Sequence, residues 1–369
     1  MATPPAHPRT PPKPKATAQA EAAPPPARHP QPPLYMGIDL GTSHSAVVAS
    51  NGARHVIESY VGWPVDAIAR RVVKKPFLIG REALDNRLML DLHRPLEAGY
   101  LKEGSDKDLE AVQELLRHLL TLAGVESAPS PRPRVHAVIG VPARALAGQQ
   151  QLLRNAVQGI VDRVLLVPEP FAVAYGLGAL LHTMIIDMGA GTTDFCVLHG
   201  RYPTEEERET LAVAGDTIDA ELVRLVHERY PDTQLSLPMA RAWKEAWSFV
   251  GEPAARVIVT VPTHGRPTHV DITEEMRGAC ELLLPPITHT MCELLARVEP
   301  DYQEQVRQQI ILAGGSSQIA GFRTSLEHAL GQVGGGQVTV VEDPVFAGAQ
   351  GGLGLAVDTV EADWEALAL

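Results

Sequence analysis

Two short segments pair an aspartate with a glycine turn, and their residue types suit them to bind phosphate. The first runs from Asp39 to Ser43 (DLGTS) and the second from Asp187 to Asp194 (DMGAGTTD). Glycine lets the backbone approach a phosphate closely, and successive N–H groups in such a turn form an anion-binding concavity. Hydroxyl groups add hydrogen-bond donors. The expected phosphate contacts are Gly41, Thr42, Ser43, Gly189, Gly191, Thr192 and Thr193.

The aspartate that leads each turn is not expected to touch phosphate, because like charges repel. Asp39 and Asp187 are instead expected to hold Mg²⁺ through its water molecules, since this ion dehydrates reluctantly. The metal would neutralise charge on the β- and γ-phosphates. His44 follows the first turn and either contacts phosphate or only packs beside it.

Both turns lie between short apolar runs, so each is predicted to form strand, tight turn and strand. The runs are 34–38 and 46–49 around the first turn, and 183–186 and 195–198 around the second. One copy alone is compatible with an ordinary hairpin, whereas two copies about a domain length apart favour a two-sided phosphate clamp. The chain has no Gly-Lys pair, so it lacks the lysine-containing phosphate loop. No helix pattern follows either turn, so the dinucleotide fingerprint also fails.

A third glycine element follows a buried apolar strand predicted at Gln309 to Ala313. The glycine pair after this strand, Gly314 and Gly315, presents no side chain, so a flat adenine ring has room against the backbone there, with Ser316 beside it. A helix is predicted from about 322 to 330. The alternative is a plain strand-to-helix turn with no ligand.

Taken in this order, the three elements resemble the actin/heat-shock chaperone/hexokinase ATPase superfamily over roughly residues 35 to 357. Further segments resemble the connector strands, the catalytic-acid segment of bacterial actins and the small subdomain of the MreB group. These segments are 138–143, 342–344, 167–176, 77–82 and 94–99. Within the superfamily, the chain is similar to the magnetosome-associated bacterial actins. The residues that carry this similarity are 37–44, 61–64, 139–144, 169–171, 189–194 and 244–251.

The resemblance implies an α/β fold of the actin-like ATPase type, duplicated and ribonuclease H-like. It has two lobes, each with a small inserted subdomain, and the nucleotide lies in the central cleft. The 369 residues suffice for two lobes. The predicted divisions are a tail at 1–33, lobe I at 34–180 with an insertion at 60–99, lobe II at 181–341 with an insertion at 215–282, and a C-terminal helix returning to lobe I within 342–369.

The resemblance also assigns catalytic roles to Glu169 and Asp187. Glu169 would orient or activate the attacking water, and the prolines on both sides of it restrict its backbone. Without the resemblance, Glu169 reads as a surface turn glutamate. Asp187 would act through the metal, which makes ATP and Mg²⁺ the expected cofactors.

Sugar and base contacts are expected from the lobe II insertion. Glu245 is suited to accept hydrogen bonds from the ribose hydroxyls, and Lys244 would lie near the adenine. The commoner alternative for such a pair is an exposed ion-pairing face. The turn at Gly215 and Asp216 is also expected to approach the sugar.

Three functions remain open at this stage. The first is a cytoskeletal ATPase whose subunits polymerise head to tail, since a heterologous interface that does not close gives a filament. The resemblance implies filaments that organise magnetosome chains in the cytoplasm, together with magnetosome-associated partner proteins. The second is a small-molecule, sugar-type kinase of the same fold, and the third is a non-polymerising ATP-dependent switch.

Composition narrows the possible partners and location. A formal net charge of −12 argues against direct nucleic-acid binding, and no apolar run is long enough to predict a transmembrane segment. Three cysteines without metal-ligand spacing fit a reducing cytosol. The first 33 residues contain 12 prolines and are predicted to be a disordered tail, which is either a spacer, a docking arm or a dispensable extension.

Overall fold

The computed structural model describes residues 1–2, 32–97, 99–102, 105–125 and 132–366. Contacts group Pro33–Leu369 as one unit and separate it from Met1–Pro32. The proline-rich segment lies almost entirely outside the described residues, so its conformation stays a prediction. The division of the larger unit into lobes with the boundaries given above also stays a prediction.

The amino-terminal half is built around one five-stranded sheet and a small three-stranded sheet. Its elements are β1 (Leu34–Leu40), β2 (His44–Ala49), β3 (Arg54–Glu58), β4 (Val61–Pro64), α1 (Ala67–Val73), β5 (Leu78–Ile79), α2 (Gly80–Asp85), β6 (Leu90–His93), β7 (Leu96–Glu97), β8 (Tyr100–Leu101), α3 (Asp106–Leu122), β9 (Val135–Val141), α4 (Ala147–Val157), β10 (Arg163–Pro168) and α5 (Glu169–Leu177). The larger sheet has the order β10-β9-β1-β2-β3, and the smaller one β5-β4-β6.

The carboxy-terminal half repeats the pattern. Its elements are β11 (Leu181–Met188), β12 (Thr193–His199), β13 (Arg208–Leu211), α6 (Gly215–Arg229), α7 (Leu237–Trp247), β14 (Ile258–Thr263), β15 (Arg266–Asp271), α8 (Thr273–Glu281), α9 (Leu284–Arg297), α10 (Pro300–Arg307), β16 (Ile310–Ala313), α11 (Phe322–Leu330), β17 (Val338–Val340), α12 (Ala347–Asp358) and α13 (Glu361–Ala366). Five of these strands form a sheet in the order β13-β12-β11-β16-β17.

The central strands are apolar because their sheets are covered on both faces. In β11, the side chains of Met184, Ile185 and Ile186 are all fully buried. Both glycine turns connect antiparallel strands, β1 with β2 and β11 with β12. The predicted strand-turn-strand units are therefore present, and each turn lies at one end of a sheet core.

Local sequence signals account for most of the helix boundaries. Apolar residues at helical spacing predict a helix from Asp106 to Leu122. Helix α3 has those bounds, because the Ser105 side chain accepts a hydrogen bond from the Asp108 N–H and caps its first turn. The sequence predicts a helix at 145–161, but α4 is shorter because Gln158 leaves the helical conformation with a ψ of 127°. For α6 the sequence predicts a start at Asp219, and the helix begins four residues earlier, at Gly215.

Helix α12 approaches lobe I through glycines. A Cβ on Gly37 of β1 would collide with the Ala349 carbonyl, and one on Gly351 would collide with the Ala172 carbonyl of α5. These missing side chains let α12 pack directly on β1 and α5, which fixes the segment after Pro344 beside the first glycine turn. No described helix is both long and apolar enough to cross a bilayer.

Candidate functional site

A cavity of about 480 Å³ is lined by both glycine turns and by the third glycine element. Its volume lies within the range of small-molecule pockets, roughly 300–1,000 Å³. Most residues predicted from the sequence line it. They are Asp39, Gly41, Thr42, Ser43, His44, Glu169, Asp187, Gly189, Gly191, Thr192, Lys244, Glu245, Gly314, Gly315 and Ser316. Three predicted residues, Thr193, Gly215 and Asp216, are not part of this lining.

The first turn is held by side chains that bond its carbonyl groups. The Ser59 hydroxyl donates to the Gly41 carbonyl at 2.6 Å, and Arg94 Nε donates to the Thr42 carbonyl at 2.7 Å. Gly41 is required here, because a Cβ would collide with the His44 carbonyl. With these carbonyls engaged, the shape of the turn is set before any ligand arrives.

The second turn is tied to both elements that follow it in lobe II. The Gly189 N–H donates to the Thr192 carbonyl at 2.9 Å, while the Gly189 carbonyl accepts from the Ser316 hydroxyl at 3.0 Å. The Ala190 carbonyl accepts from the Asp216 N–H at 2.7 Å. The turn, the third glycine element and the start of α6 therefore form one connected wall of the cavity.

Three predicted ligand contacts are not supported by their positions. Thr193 is fully buried and its hydroxyl donates to the Val213 carbonyl at 2.7 Å, because alternation along β12 turns it away from the side that Thr192 faces. The Gly215 carbonyl accepts from Lys244 Nζ at 2.9 Å. The carboxylate of Asp216 is engaged by arginines rather than directed at a sugar.

The third glycine element lies directly against the second aspartate. Strand β16 is parallel to β11, with Ala313 opposite Asp187. Gly314 has φ 75° and ψ 162°, a region that is essentially restricted to glycine, and a Cβ there would collide with the Asp187 carboxylate. A Cβ on Gly315 would meet nothing within 4 Å, so the open space predicted for a flat ring is present beside it.

Four carboxyl groups gather around the cavity. Burial raises the pKa of Asp39 and of Asp194 to about 6. The pKa values of Glu169 and Asp187 are raised well above their usual range, by burial first and then by the neighbouring carboxylates. Among the described residues, no ion pair includes Asp39, Asp187 or Glu169. The cluster therefore has an electrostatic demand for a cation.

Asp194 differs from the other three acids because its carboxylate is already used within the protein. It is 1 % exposed, and its Oδ1 accepts from the Ala143 N–H and from the Thr210 hydroxyl, both at 2.6 Å. It thus joins the turn after β9 of lobe I to β13 of lobe II. Asp39, Asp187 and Glu169 line the cavity, and the first two lead the two glycine turns.

The structure places Glu169 at the start of α5, where glycine makes room for it. A Cβ on Gly140 of β9 would lie 2.8 Å from Glu169 Cγ, and Gly140 pairs with Asp39 across the sheet. Pro170 is tolerated in the first turn of the helix, since the N–H it lacks has no partner there. Glu169 is a cavity residue and not the surface turn glutamate of the alternative interpretation.

Lys244 is buried and contacts residues of its own lobe, so it is not half of an exposed ion pair. It is 9 % exposed, and its Nζ lies 2.7 Å from Asp219 Oδ1, a charge contact without hydrogen-bond geometry. Glu245, the next residue of α7, is exposed and lines the cavity.

The His44 side chain is also exposed to solvent, but the surrounding protein partly desolvates its ring and so lowers the pKa of that ring. The His44 ring is therefore harder to protonate than an ordinary histidine ring.

Sequence reasoning missed several cavity residues that come from distant parts of the chain. They are Ala46, Val56, Gly99, Ala190, Ser248, Gln318, Ile319, Pro344, Val345 and Gly348. A Cβ on Gly348 would lie 3.1 Å from Asp39 Oδ2, so this glycine leaves space for the first aspartate. The run of small residues at 347–354 was a signal for close approach, although it did not show what the helix approaches.

The donor set fits a hard divalent cation held partly by its own waters. No group of three or more His, Cys, Asp or Glu residues among the described ones is arranged to hold a metal. Two carboxylates, Asp39 and Asp187, face one cavity without a cationic partner in the described structure. Oxygen ligands and incomplete protein coordination are typical of Mg²⁺.

Comparisons with known proteins identify the family and the fold. The family model described as MreB/Mbl protein matches residues 34–363. Actin-like protein MamK of Paramagnetospirillum magneticum is 41 % identical over 334 residues, which cover 90 % of this chain and 95 % of that protein. A solved MamK double helical filament has a TM-score of 0.85 at 41 % identity, covering 89 % of this chain and 99 % of the other.

A second solved relative carries a nucleotide analogue. It is a non-polymerising MamK mutant bound to AMPPNP, with a TM-score of 0.67 and 41 % identity, covering 88 % of this chain and 99 % of that one. Together these matches confirm the predicted actin-like fold and the predicted resemblance to magnetosome-associated actins.

Proposed function

The chain belongs to the MreB/Mbl family of actin-like proteins, and from that membership we propose that it is a cytoskeletal ATPase that binds Mg²⁺-ATP and polymerises with copies of itself. One observation carries the proposal: glycine turns from two similarly built sheets line a single cavity together with a cluster of carboxylates that lack ion-pair partners in the described structure. The filament and the AMPPNP complex of proteins 41 % identical to this chain support it.

The nucleotide phosphates would lie between the two turns, with the base toward Gly314 and Gly315. Lys244 and Glu245 border the same cavity, which supports the proposal that they lie near the sugar and base. Asp39 and Asp187 would hold the metal through water. When bound, Mg²⁺ would neutralise charge on the β- and γ-phosphates, and the protein would supply in-line placement, the main requirement of phosphoryl transfer.

Glu169 would orient the water that attacks the γ-phosphorus. In that step the new bond forms between the water oxygen and phosphorus, the bond to the β–γ bridging oxygen breaks, and ADP and phosphate result. Glu169 would accept the proton that this water loses. Burial and neighbouring charges raise the pKa of Glu169, and a raised pKa makes a carboxylate a better proton acceptor than an ordinary one.

Polymerisation would follow from the nucleotide state. ATP bound between the lobes would favour one closed arrangement and hence one set of subunit contacts, and hydrolysis would weaken those contacts. The similarity to MamK extends the proposal to a cytoplasmic filament that organises magnetosome chains and binds magnetosome-associated proteins.

Sedimentation of the full chain with Mg²⁺-ATP tests the proposal. We expect sedimentable polymer, visible as filaments by electron microscopy, together with phosphate release that needs no acceptor. AMPPNP in place of ATP serves as the control and should give polymer without phosphate. ADP production that depends on a sugar-type acceptor would favour the kinase alternative. Tight nucleotide binding with neither polymer nor turnover would favour the switch.

A further inference from the structure

An ion-pair network spans the cleft between the two lobes. Asp216, at the start of α6 in lobe II, accepts a hydrogen bond from Arg94 Nη2 at 2.6 Å and one from Arg241 Nη2 at 3.1 Å. Arg94 lies between β6 and β7 of the first half of the chain, whereas Arg241 lies in α7 of the second. One carboxylate therefore connects cationic groups that belong to different lobes.

The same network crosses the cleft a second time. Arg241 Nη1 donates to the hydroxyl of Tyr60 at 2.9 Å, and Tyr60 lies between β3 and β4 of lobe I. Arg241 Nε donates to Asp219 at 2.9 Å, a fully buried residue of α6. Arg241 is thus anchored in its own lobe while it reaches across to the other. We call Tyr60, Arg94, Asp216 and Arg241 the cleft clasp.

The cleft clasp is continuous with both glycine turns. Arg94 donates through Nε to the Thr42 carbonyl of the first turn at 2.7 Å. Asp216 donates through its backbone N–H to the Ala190 carbonyl of the second turn at 2.7 Å. The Arg94–Asp216 ion pair therefore links the two walls that would hold the phosphates, one on each side of the cavity.

We propose that Arg94, Asp216 and Arg241 are positioning residues that hold the cleft closed over the bound nucleotide and set the rate at which it leaves. The inference rests on the proposed function for the identity of the ligand. It assigns Asp216 a role in joining the lobes rather than in contacting the sugar.

Burial gives the cleft clasp more strength than a surface ion pair. The side chains of Arg94, Asp216 and Arg241 are 23 %, 32 % and 17 % exposed, so water and salt screen them less than fully exposed charges. Charge-assisted hydrogen bonds are also stronger than neutral ones. Separation of the lobes breaks both crossings of the cleft clasp, and we expect a nucleotide gripped by both glycine turns to leave faster when the lobes separate.

The first test measures release of a fluorescent ATP analogue from the full chain, kept below its polymerisation threshold. Asp216→Asn and Arg94→Met should each speed release about tenfold, the effect of losing roughly one charge-assisted hydrogen bond. The double variant should speed release by clearly less than the product of the two single effects, because both single variants remove the Arg94–Asp216 contact. Glu221→Gln is the matched control, since it removes a local ion pair with Arg224 on the same helix, and it should release at the wild-type rate.

The second test needs no nucleotide and so separates the cleft clasp from the proposed function. Spin labels at Leu88 and Leu237, exposed positions of the two insertions, report the distance across the cleft in a Cys292→Ser background. Asp216→Asn should lengthen and broaden that distance, and Glu221→Gln should not. If the wild type binds no ATP analogue, the proposed function fails, yet this distance still decides whether the cleft clasp holds the lobes. Independent, multiplicative effects of the two release variants, or an unchanged distance, would overturn it.

Discussion

The sheets of the two lobes have the same strand order and directions but carry different chemistry. In each, a central strand is antiparallel to the strand after its glycine turn and parallel to a later strand, β9 in lobe I and β16 in lobe II. Cross-strand partners expose the difference. Asp39 is opposite Ala46, whereas Asp187 is opposite Asp194.

This difference shows that the duplicated scaffold fixes where a turn lies but not what it does. The second acid of lobe II, Asp194, lies within the hairpin, and its carboxylate accepts hydrogen bonds from Ala143 and Thr210. Lobe I lacks that acid and supplies one from a helix instead, Glu169 of α5, which lines the cavity. We infer that lobe I carries the group that acts on water, while the extra acid of lobe II is structural.

The largest effect should come from Glu169→Gln, which removes the lobe I acid and keeps its shape. The rate of phosphate release should fall about 100-fold or more, since a positioned acid–base group contributes roughly 10²–10⁴-fold. Binding of ATP and sedimentation should persist. Phosphate release and pelleting on the same samples measure both.

The control for this prediction is Glu245→Gln, which changes a second cavity glutamate in the same way. It should alter the concentration of ATP needed for half-maximal activity more than the maximal rate. Turnover close to wild type in the Glu169 variant would break the proposed division of labour between the lobes.

A smaller effect should distinguish Asp187 from Asp194, the two acids that pair across the lobe II hairpin. Asp187→Asn should raise the Mg²⁺ concentration needed for half-maximal ATPase activity about tenfold, since a carboxylate ligand of a hard cation is lost. Asp194→Asn should leave that concentration nearly unchanged, because its carboxylate is already engaged by protein donors. A titration with Mg²⁺ at fixed ATP measures both. Equal shifts in the two variants would contradict the assignment of Asp194 as structural.

A still smaller effect is expected from the glycine that makes room for Glu169. Gly140→Ala places a methyl group where Glu169 Cγ now approaches to 2.8 Å, so the glutamate must move. We expect maximal turnover to fall several-fold, up to about tenfold, because small misplacements of catalytic groups are costly. Gly148→Ala in α4 is the matched control, since its Cβ meets nothing within 4 Å and Gly148 does not line the cavity. Normal turnover in the Gly140→Ala variant would show that the position of Glu169 is not critical.

The features that sequence alone predicted are those that depend on a few neighbouring residues. Both hairpin turns and the third glycine element follow from local backbone requirements. Helix α3 has its predicted bounds because Ser105 caps it and its apolar residues recur at helical spacing. Chemistry within one segment decides these structures, so a single sequence suffices.

Other features depend on how distant segments pack, and these were missed or misplaced. The sequence assigns Asp216 to the sugar, whereas in the structure its carboxylate pairs with Arg94, which lies 122 positions earlier. No spacing rule connects two residues so far apart. Gly348 comes beside Asp39 only because α12 returns to lobe I. Thr193 is a partial exception, because strand alternation already separates it from Thr192.

The smallest effect should appear in the pH dependence of stability, where the buried acid of lobe II has no lobe I counterpart. Burial raises the pKa of Asp194 from 3.8 to about 6, so the folded chain binds more protons than the unfolded chain between those values. Stability must therefore fall as pH rises through that window, at about 1 kcal/mol per pH unit for this one group. Asp194→Asn keeps an oxygen acceptor but has no proton to lose, so its loss of stability should be shallower.

Urea unfolding of the nucleotide-free chain at pH values of roughly 3.5, 5 and 6.5, which bracket the window in which the carboxyl group titrates, would measure this difference. The other acidic residues make the free energy of unfolding depend on pH in both proteins. The informative quantity is therefore the free energy of unfolding of the wild type minus that of the variant, which should decrease as pH rises. Parallel curves would mean that Asp194 titrates alike in the folded and unfolded chains. In that case, burial of the Asp194 carboxylate would carry no electrostatic cost, and the two hairpins would differ only in geometry.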